Sequence, residues 1–149
     1  MPTPQLPPTD FPFTDPGGRI TRAWYAMVQF WDKAVRMSGI GYTAGAGGTV
    51  TQATSKSTGV TLNKATGQIT MNGAALAAAT IVSFTLTNSC IEATDLLLLN
   101  HISGGTAGAY TLNAQCAAGS ASIAVRNATA GSLSEAIVLA YALIKGRTS

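Results

Sequence analysis

The side chains suited to acid–base or nucleophilic chemistry are few, and several of them lie between residues 92 and 103. His101 is the sole histidine of the chain. A catalytic triad would need His101 to be held between Ser103 and a carboxylate from Glu92 or Asp95. Nothing in the spacing requires this, because residues two and six positions apart on a strand and its turn meet only by chance. We therefore predict that the protein is not an enzyme.

The sequence also lacks the patterns of a cofactor or metal site. Glu92 and Asp95 are the only close carboxylate pair, but they lie in a short connection with few aromatic residues nearby, unlike the sugar-binding cleft of a glycosidase. One histidine excludes a multi-histidine metal site within one chain. The stretch IGYTAGAGGTV lacks the glycine spacing of phosphate-binding loops. We predict no cofactor and no metal, although three His101 side chains around a trimer axis would be one way to hold an ion.

The charge content excludes several classes of partner. Charged residues make up 10% of the chain and the net charge is +3, whereas ordinary soluble domains contain about 25% charged residues. This basic excess is too small for a nucleic-acid surface. The apolar run Ala136 to Ile144 is too short to span a bilayer, so we predict no membrane insertion. Cys90 and Cys116 can form one disulfide at most, and their apolar surroundings favour buried free thiols.

Residues 19–39 predict one amphipathic α-helix. Apolar side chains recur there at intervals of three and four residues and so share one face, namely Ile20, Trp24, Met27, Trp31 and Val35. A single helix of about five turns is marginal in water, so this face must be covered. The cover is the chain's own β region, sister copies of the helix or a larger assembly. We interpret the face as an oligomerisation surface.

Residues 1–18 contain all six prolines and predict an extended arm without a core of its own. One interpretation is an ordinary disordered tail. The other is a docking peptide in which Leu6, Phe11 and Phe13 fill pockets of a partner, with little entropy lost because the prolines already stiffen the chain. The aromatic pair between prolines favours docking.

Residues 40–48 predict a glycine-rich linker, and residues 49–149 predict an eight-stranded antiparallel β-sandwich, of jelly-roll or simpler order. Segments of β type recur there at intervals of about 8–12 residues. Residues 59–63 and 68–72 alternate polar and apolar side chains and predict a hairpin with its turn at 64–67. Residues 95–100, DLLLLN, are apolar on both faces and predict a central strand or one covered by a neighbouring subunit. For that subunit interface we predict Leu97, Leu99 and His101.

Several stretches together resemble structural proteins of tailed bacteriophages. The C-terminal ones are similar to the ends of many tail-fibre and appendage proteins: GGTVTQATSKSTGVTLNKATGQITMNGAALAA, VSFTLTNS, DLLLLNHISGGTAGAYTL and AGSLSEAIVLAYALIKG. The proline-rich start, the run DPGGRIT from Asp15, and Trp24 through Trp31 resemble the leader of short phage structural proteins. The resemblance covers nearly the whole chain.

The resemblance implies a non-enzymatic virion component, assembled in the bacterial cytoplasm and homotrimeric, which contacts other virion proteins through its N-terminal segment. The first expectation is a short tail fibre or a fibre adaptor, since the chain has no long shaft. The alternative is a head decoration, cement or head-fibre protein. A further alternative is a carbohydrate-binding receptor module that binds a host surface glycan.

Overall fold

The computed structural model describes residues 12–38, 41–42 and 44–147, and the side chains of residues 31–38 are outside this description. The chain divides into two compact units, residues 1–41 and residues 42–149. The division falls inside the predicted linker. Within the described ranges, no helix combines the length and the apolar character that crossing a bilayer requires.

The first unit contains helix α1 (Arg22–Ser38) and the turn that precedes it. The Asp15 carboxylate accepts hydrogen bonds from the backbone amides of Gly17 and Arg19, at 2.9 and 3.0 Å. The amide of Thr21 donates to the carbonyl of Phe13 at 3.0 Å. This turn accounts for the helix beginning three residues later than predicted. The described end of the proline-rich arm is thus a turn, while residues 1–11 lie outside the described part of the chain.

The second unit is mainly β. Its eight strands agree in number with the prediction. They form two four-stranded sheets, in the orders β1-β3-β8-β5 and β2-β4-β7-β6. Their bounds are β1 (Thr49–Thr51), β2 (Val60–Thr61), β3 (Thr66–Thr70), β4 (Ile81–Thr87), β5 (Leu96–Ser103), β6 (Tyr110–Ala117), β7 (Ser120–Asn127) and β8 (Val138–Ile144).

The predicted all-antiparallel arrangement is wrong for two strand pairs. β1 pairs with β3, and β2 with β4, in parallel. The predicted hairpin of residues 59–63 and 68–72 is wrong as well, because β2 and β3 belong to different sheets. The chain passes from one sheet to the other at nearly every connection. Between β1 and β3, and between β2 and β4, the chain forms one strand in the other sheet. It therefore reverses its direction twice and returns parallel to the earlier strand.

The core lies between the two sheets, which together give a β-sandwich-like architecture. One sheet contributes Ile69, Leu97, Leu139 and Tyr141, and the other contributes Phe84, Leu86, Ile123 and Val125. These side chains alternate along their strands with exposed or half-exposed ones, as the two-residue period of a strand requires. The predicted central position of residues 95–100 is wrong, because β5 lies at the end of its sheet order and its one neighbour there is β8.

Candidate functional site

His101 lies in a surface groove of about 470 Å³ between β5 and β6, the end strands of the two sheets. Its Nε2 atom is 3.0 Å from the carbonyl oxygen of Ser103 and 2.5 Å from that of Gly104. Carbonyl oxygens only accept hydrogen bonds, so Nε2 carries a proton and donates it. The edge of the imidazole faces the Tyr110 ring, with centroids 5.7 Å apart. His101 thus fastens its own turn.

Glu135 anchors the loop between β5 and β6, which also lines this groove. Its carboxylate accepts hydrogen bonds from the amide and hydroxyl of Thr106, at 3.0 and 2.7 Å, and from the Tyr110 hydroxyl at 2.7 Å. The Thr106 bonds, more than any other contact, lower the pKa of Glu135, and the Tyr110 bond adds to the effect. Burial, followed by the bond to Glu135, raises the pKa of Tyr110.

Gly105 is required at the base of this loop. Its φ is +68°, a conformation that side chains rarely adopt, and a Cβ atom there would lie 2.5 Å from a Glu135 carboxylate oxygen. The loop therefore depends on close packing of the Glu135 carboxylate against Gly105, a residue distant from it in the sequence.

Lys56 is a buried lysine that the sequence analysis did not single out. Its side chain is 4% exposed. The ammonium donates to the backbone carbonyls of Asn72, at 2.7 Å, and Glu135, at 2.5 Å. Burial lowers the pKa of Lys56, and the nearby Glu135 charge partly opposes this shift. No short sequence pattern identifies this role, because its partners are main-chain atoms.

Glu92 and Asp95 belong to a network of ion pairs and hydrogen bonds that holds the loop before β5. Lys145 Nζ is 2.8 Å from Asp95 Oδ2 and 3.5 Å from Glu92 Oε1. Asp95 also accepts hydrogen bonds from the amides of Glu92 and Gly146, at 2.8 and 3.1 Å. The bond from Lys145 is the main cause that lowers the pKa of Asp95. These bonds attach the end of β8 to the loop before β5.

The structure also shows the surroundings of Asn127 and of the two cysteines. Asn127 begins the run Asn-Ala-Thr, which matches the short acceptor pattern for N-glycosylation. It is fully buried, and its amide donates to the carbonyls of Leu76, Ala77 and Gly131, so it is not accessible for glycosylation in the folded chain. Cys90 and Cys116 are free thiols, as predicted, but half-buried. Among the described residues, no three His, Cys, Asp or Glu side chains are grouped closely enough to hold a metal.

The predicted docking and helix residues are placed only in part. Leu6 and Phe11, and the side chains of Trp31 and Val35, lie outside the description. Phe13 is exposed and packs edge-on against Trp24, with ring centroids 5.6 Å apart. Ile20 is exposed, while Trp24 and Met27 are half-buried. Among residues 12–30, whose side chains are all described, none is buried.

Of the three predicted β-domain contact residues, Leu97 and Leu99 face the inside of the sandwich, and His101 lies in the surface groove. Leu97 is 7% exposed and belongs to the core, and Leu99 packs against it. A subunit contact through them stays a prediction without a surface to support it. The apolar side chains that β5 presents outward are the alternate ones, Leu96, Leu98 and Ile102. The sequence alone cannot tell which alternate residues of DLLLLN face the core, since this stretch is apolar on both faces.

Comparisons with known proteins find no relative: no family model, no curated protein and no solved structure matches the chain.

Proposed function

We propose that this chain is a non-enzymatic structural subunit of a tailed-bacteriophage particle. It acts as a short homotrimeric tail fibre or fibre adaptor, and its N-terminal segment and helix attach it to other virion proteins. The sequence resemblance suggests a virion component, and the half-buried apolar face of α1 supports a subunit that is incomplete by itself.

The observation that carries the proposal is the absence of any buried side chain among residues 12–30. Trp24, Met27 and Phe30 recur every third residue along α1 and are only half-buried, while Tyr25 and Val28 are exposed. A helix of 17 residues gains most of its stability from packing of its apolar face. In this proposal, sister copies of the helix or other virion proteins supply that packing.

Sedimentation of the full-length chain at micromolar concentration tests the assembly. We expect a species with three times the mass of one chain. A well-folded, dispersed single chain would overturn the proposal. Attachment is tested separately by changing Leu6, Phe11 and Phe13 to serine in a complemented phage. That variant should remain trimeric and be missing from purified particles, whereas changing Thr3 and Thr9 to alanine in the same arm should leave incorporation intact.

Copy number then separates the tail from the head. A tail fibre or adaptor is present in tens of copies or fewer per particle, while a decoration or cement protein on the capsid lattice is present in hundreds. Quantitative mass spectrometry of purified particles distinguishes these ranges.

The groove at His101 favours a second candidate, binding of a host surface glycan. It is open to solvent and lined by groups that form hydrogen bonds, including Asn100, His101 and Ser103. Titration of the trimer with host polysaccharide tests this function. Binding should be lost in His101→Ala and kept in Asn113→Ala, which changes an exposed residue outside the groove lining. Absence of binding to any host polysaccharide removes this candidate.

A further inference from the structure

We propose that the outer face of the β1-β3-β8-β5 sheet is the interface between copies of this chain, with an apolar ridge of one copy seated in a glycine-lined hollow of the next. The ridge consists of Leu96, Leu98, Ile102 and Ile144. The hollow is lined by Gly47, Gly48, Thr49, Thr66, Gly67, Gln68 and Ala140. The inference rests on the proposed function, because it names the surface through which a self-assembling subunit meets its partner.

The ridge is formed by apolar side chains that point away from the core. The exposed fractions are 56% for Leu96, 49% for Leu98, 43% for Ile102 and 50% for Ile144. Leu96 pairs with Ile144 across the β5–β8 ladder, and Leu98 pairs with the half-buried Ala142. Directly opposed residues on one face of a sheet lie about 5 Å apart, so Leu96, Leu98 and Ile144 form one patch with Ala142, and Asn100 separates this patch from Ile102 along β5. Exposed apolar patches mark surfaces that other molecules cover.

The edge position of β5 strengthens this argument. Edge strands of soluble proteins are usually protected by lysine, proline, short length or a strong bulge. β5 is eight residues long and contains neither lysine nor proline, and its single register shift lies near its end, between His101 and Ser103. A long apolar edge strand of this kind is protected when a neighbouring chain lies over it.

The hollow lies on the other half of the same sheet. It has a volume of about 320 Å³, and three of its lining residues are glycines. In the sheet order, β3 is separated from β5 by β8. Because ridge and hollow belong to one sheet, the ridge of a chain cannot fold back into its own hollow. In this proposal, the ridge that enters the hollow belongs to a second copy.

The charge distribution disfavours a strongly charged partner and is compatible with a second copy. The outward side chains of the four strands in this sheet are apolar, threonine, glutamine or asparagine, and none is charged. Such a face offers no salt bridge to an acidic or basic partner, and it meets its own copy without like-charge repulsion. If each copy uses its ridge toward one neighbour and its hollow toward the other, the contact is head-to-tail, and it closes a ring when the rotation between copies permits closure.

The opposite sheet provides a matched control surface. The outward positions of β4, β6 and β7 carry mostly hydroxyl and amide side chains, such as Thr85, Asn113, Gln115 and Ser122, with Arg126 as the one charge among these strands. A carboxylate introduced there meets water in either arrangement. A carboxylate introduced on the ridge is buried by assembly.

The test compares full-length Leu98→Asp, Ala140→Glu and Ser122→Asp with the unchanged chain by sedimentation across a concentration series. Leu98→Asp changes the ridge, Ala140→Glu obstructs the hollow, and Ser122→Asp changes the opposite sheet. We expect the first two to raise the dissociation constant of assembly about 100-fold or more, since an unpaired carboxylate is desolvated. Ser122→Asp should assemble as the unchanged chain does. Circular dichroism checks folding, and Ala140→Glu provides a second readout if Leu98→Asp fails to fold.

The outcomes separate this inference from the proposed function. If the unchanged chain is trimeric and both face variants remain trimeric at the same concentrations, the interface lies elsewhere and the inference fails while the proposed function stands. If the unchanged chain is monomeric, both fail. A dimer that Leu98→Asp dissociates supports the face and overturns the threefold arrangement.

Discussion

The buried ammonium of Lys56 donates a 2.5 Å hydrogen bond to the backbone carbonyl of Glu135, while the Glu135 carboxylate accepts hydrogen bonds from Thr106 and Tyr110. The two residues thereby join three connections of the sandwich: the one between β1 and β2, the one before β8, and the loop between β5 and β6. The shape of the His101 groove depends on residues that lie far outside it in the sequence.

Lys56→Met should lower the free energy of unfolding by about 1–3 kcal/mol. The substitution keeps most of the apolar stem but leaves the carbonyls of Asn72 and Glu135 without their donor. Urea unfolding measures the loss. Lys64→Met, at an exposed position, is the matched control and should change stability little. Equal stability of the Lys56 variant and the unchanged chain would contradict the role assigned to the buried ammonium.

Glu135→Gln should loosen the loop between β5 and β6. A neutral amide is a weaker acceptor than a carboxylate and cannot accept from Thr106 and Tyr110 at both of its terminal atoms. Amide hydrogen exchange at Thr106, whose N–H bonds directly to Glu135, should become faster by about tenfold or more. Glu92→Gln, which alters an exposed carboxylate, should leave that amide unchanged. Unaltered exchange in Glu135→Gln would show that the loop is held by other contacts.

The unfolding free energy should fall as the solution is acidified. Asp95 and Glu135 have pKa values held below 3.8 and 4.5, the first mainly by Lys145 and the second mainly by Thr106. A carboxylate with a depressed folded pKa contributes stability above its unfolded pKa, and this contribution is lost as pH falls through the folded pKa. Denaturant titrations from pH 7 to pH 2 should show that Asp95→Asn with Glu135→Gln loses less stability below about pH 4 than the unchanged chain. Parallel curves would contradict this assignment.

Tyr141 should ionise late and stabilise the core through its hydroxyl. Burial raises its pKa to about 12, and the hydroxyl donates to the carbonyl of Lys64 at 3.1 Å. A raised folded pKa means that its contribution is present below its ordinary value of 10.0 and declines as pH rises toward 12. Tyr141→Phe should cost about 1 kcal/mol and remove this decline. Tyr25→Phe, on the exposed surface of α1, is the control; alkaline stability curves that match for both variants would refute the expectation.

Trp24→Ala should weaken assembly through the helix. Trp24 lies on the predicted packing face and contacts Phe13, while Tyr25 is exposed on a neighbouring position. Burial of an aromatic side chain contributes about 2–3 kcal/mol, so loss of the indole should raise the dissociation constant of the proposed trimer by more than tenfold. Tyr25→Ala should have a smaller effect. Sedimentation of the two variants gives the comparison, and equal weakening would indicate that the helix does not pack by this face.

Periodicity in the sequence was sufficient for the number of strands, the existence of α1 and the apolar character of β5. It was insufficient for pairing, because residues 59–63 and 68–72 look like a local hairpin but belong to different sheets. It also could not choose between Leu97 and Leu98, since the parity of a strand depends on which face meets the core. Lys56 and Glu135 were missed because their partners include main-chain atoms distant in sequence, and main-chain atoms leave no residue pattern.

β8, the last strand of the chain, lies between β3 and β5 in the interior of its sheet. During synthesis, β3 and β5 therefore lack the strand that lies between them until residues 138–144 have left the ribosome. Until then Ile69 and Leu97 lack their cross-strand neighbours Leu139 and Leu143, so this half of the sandwich completes its fold only once β8 has been synthesised. A prematurely ended chain lacking β8 would expose apolar strands on either side of the gap, and it would be a substrate for chaperones or proteases rather than for assembly.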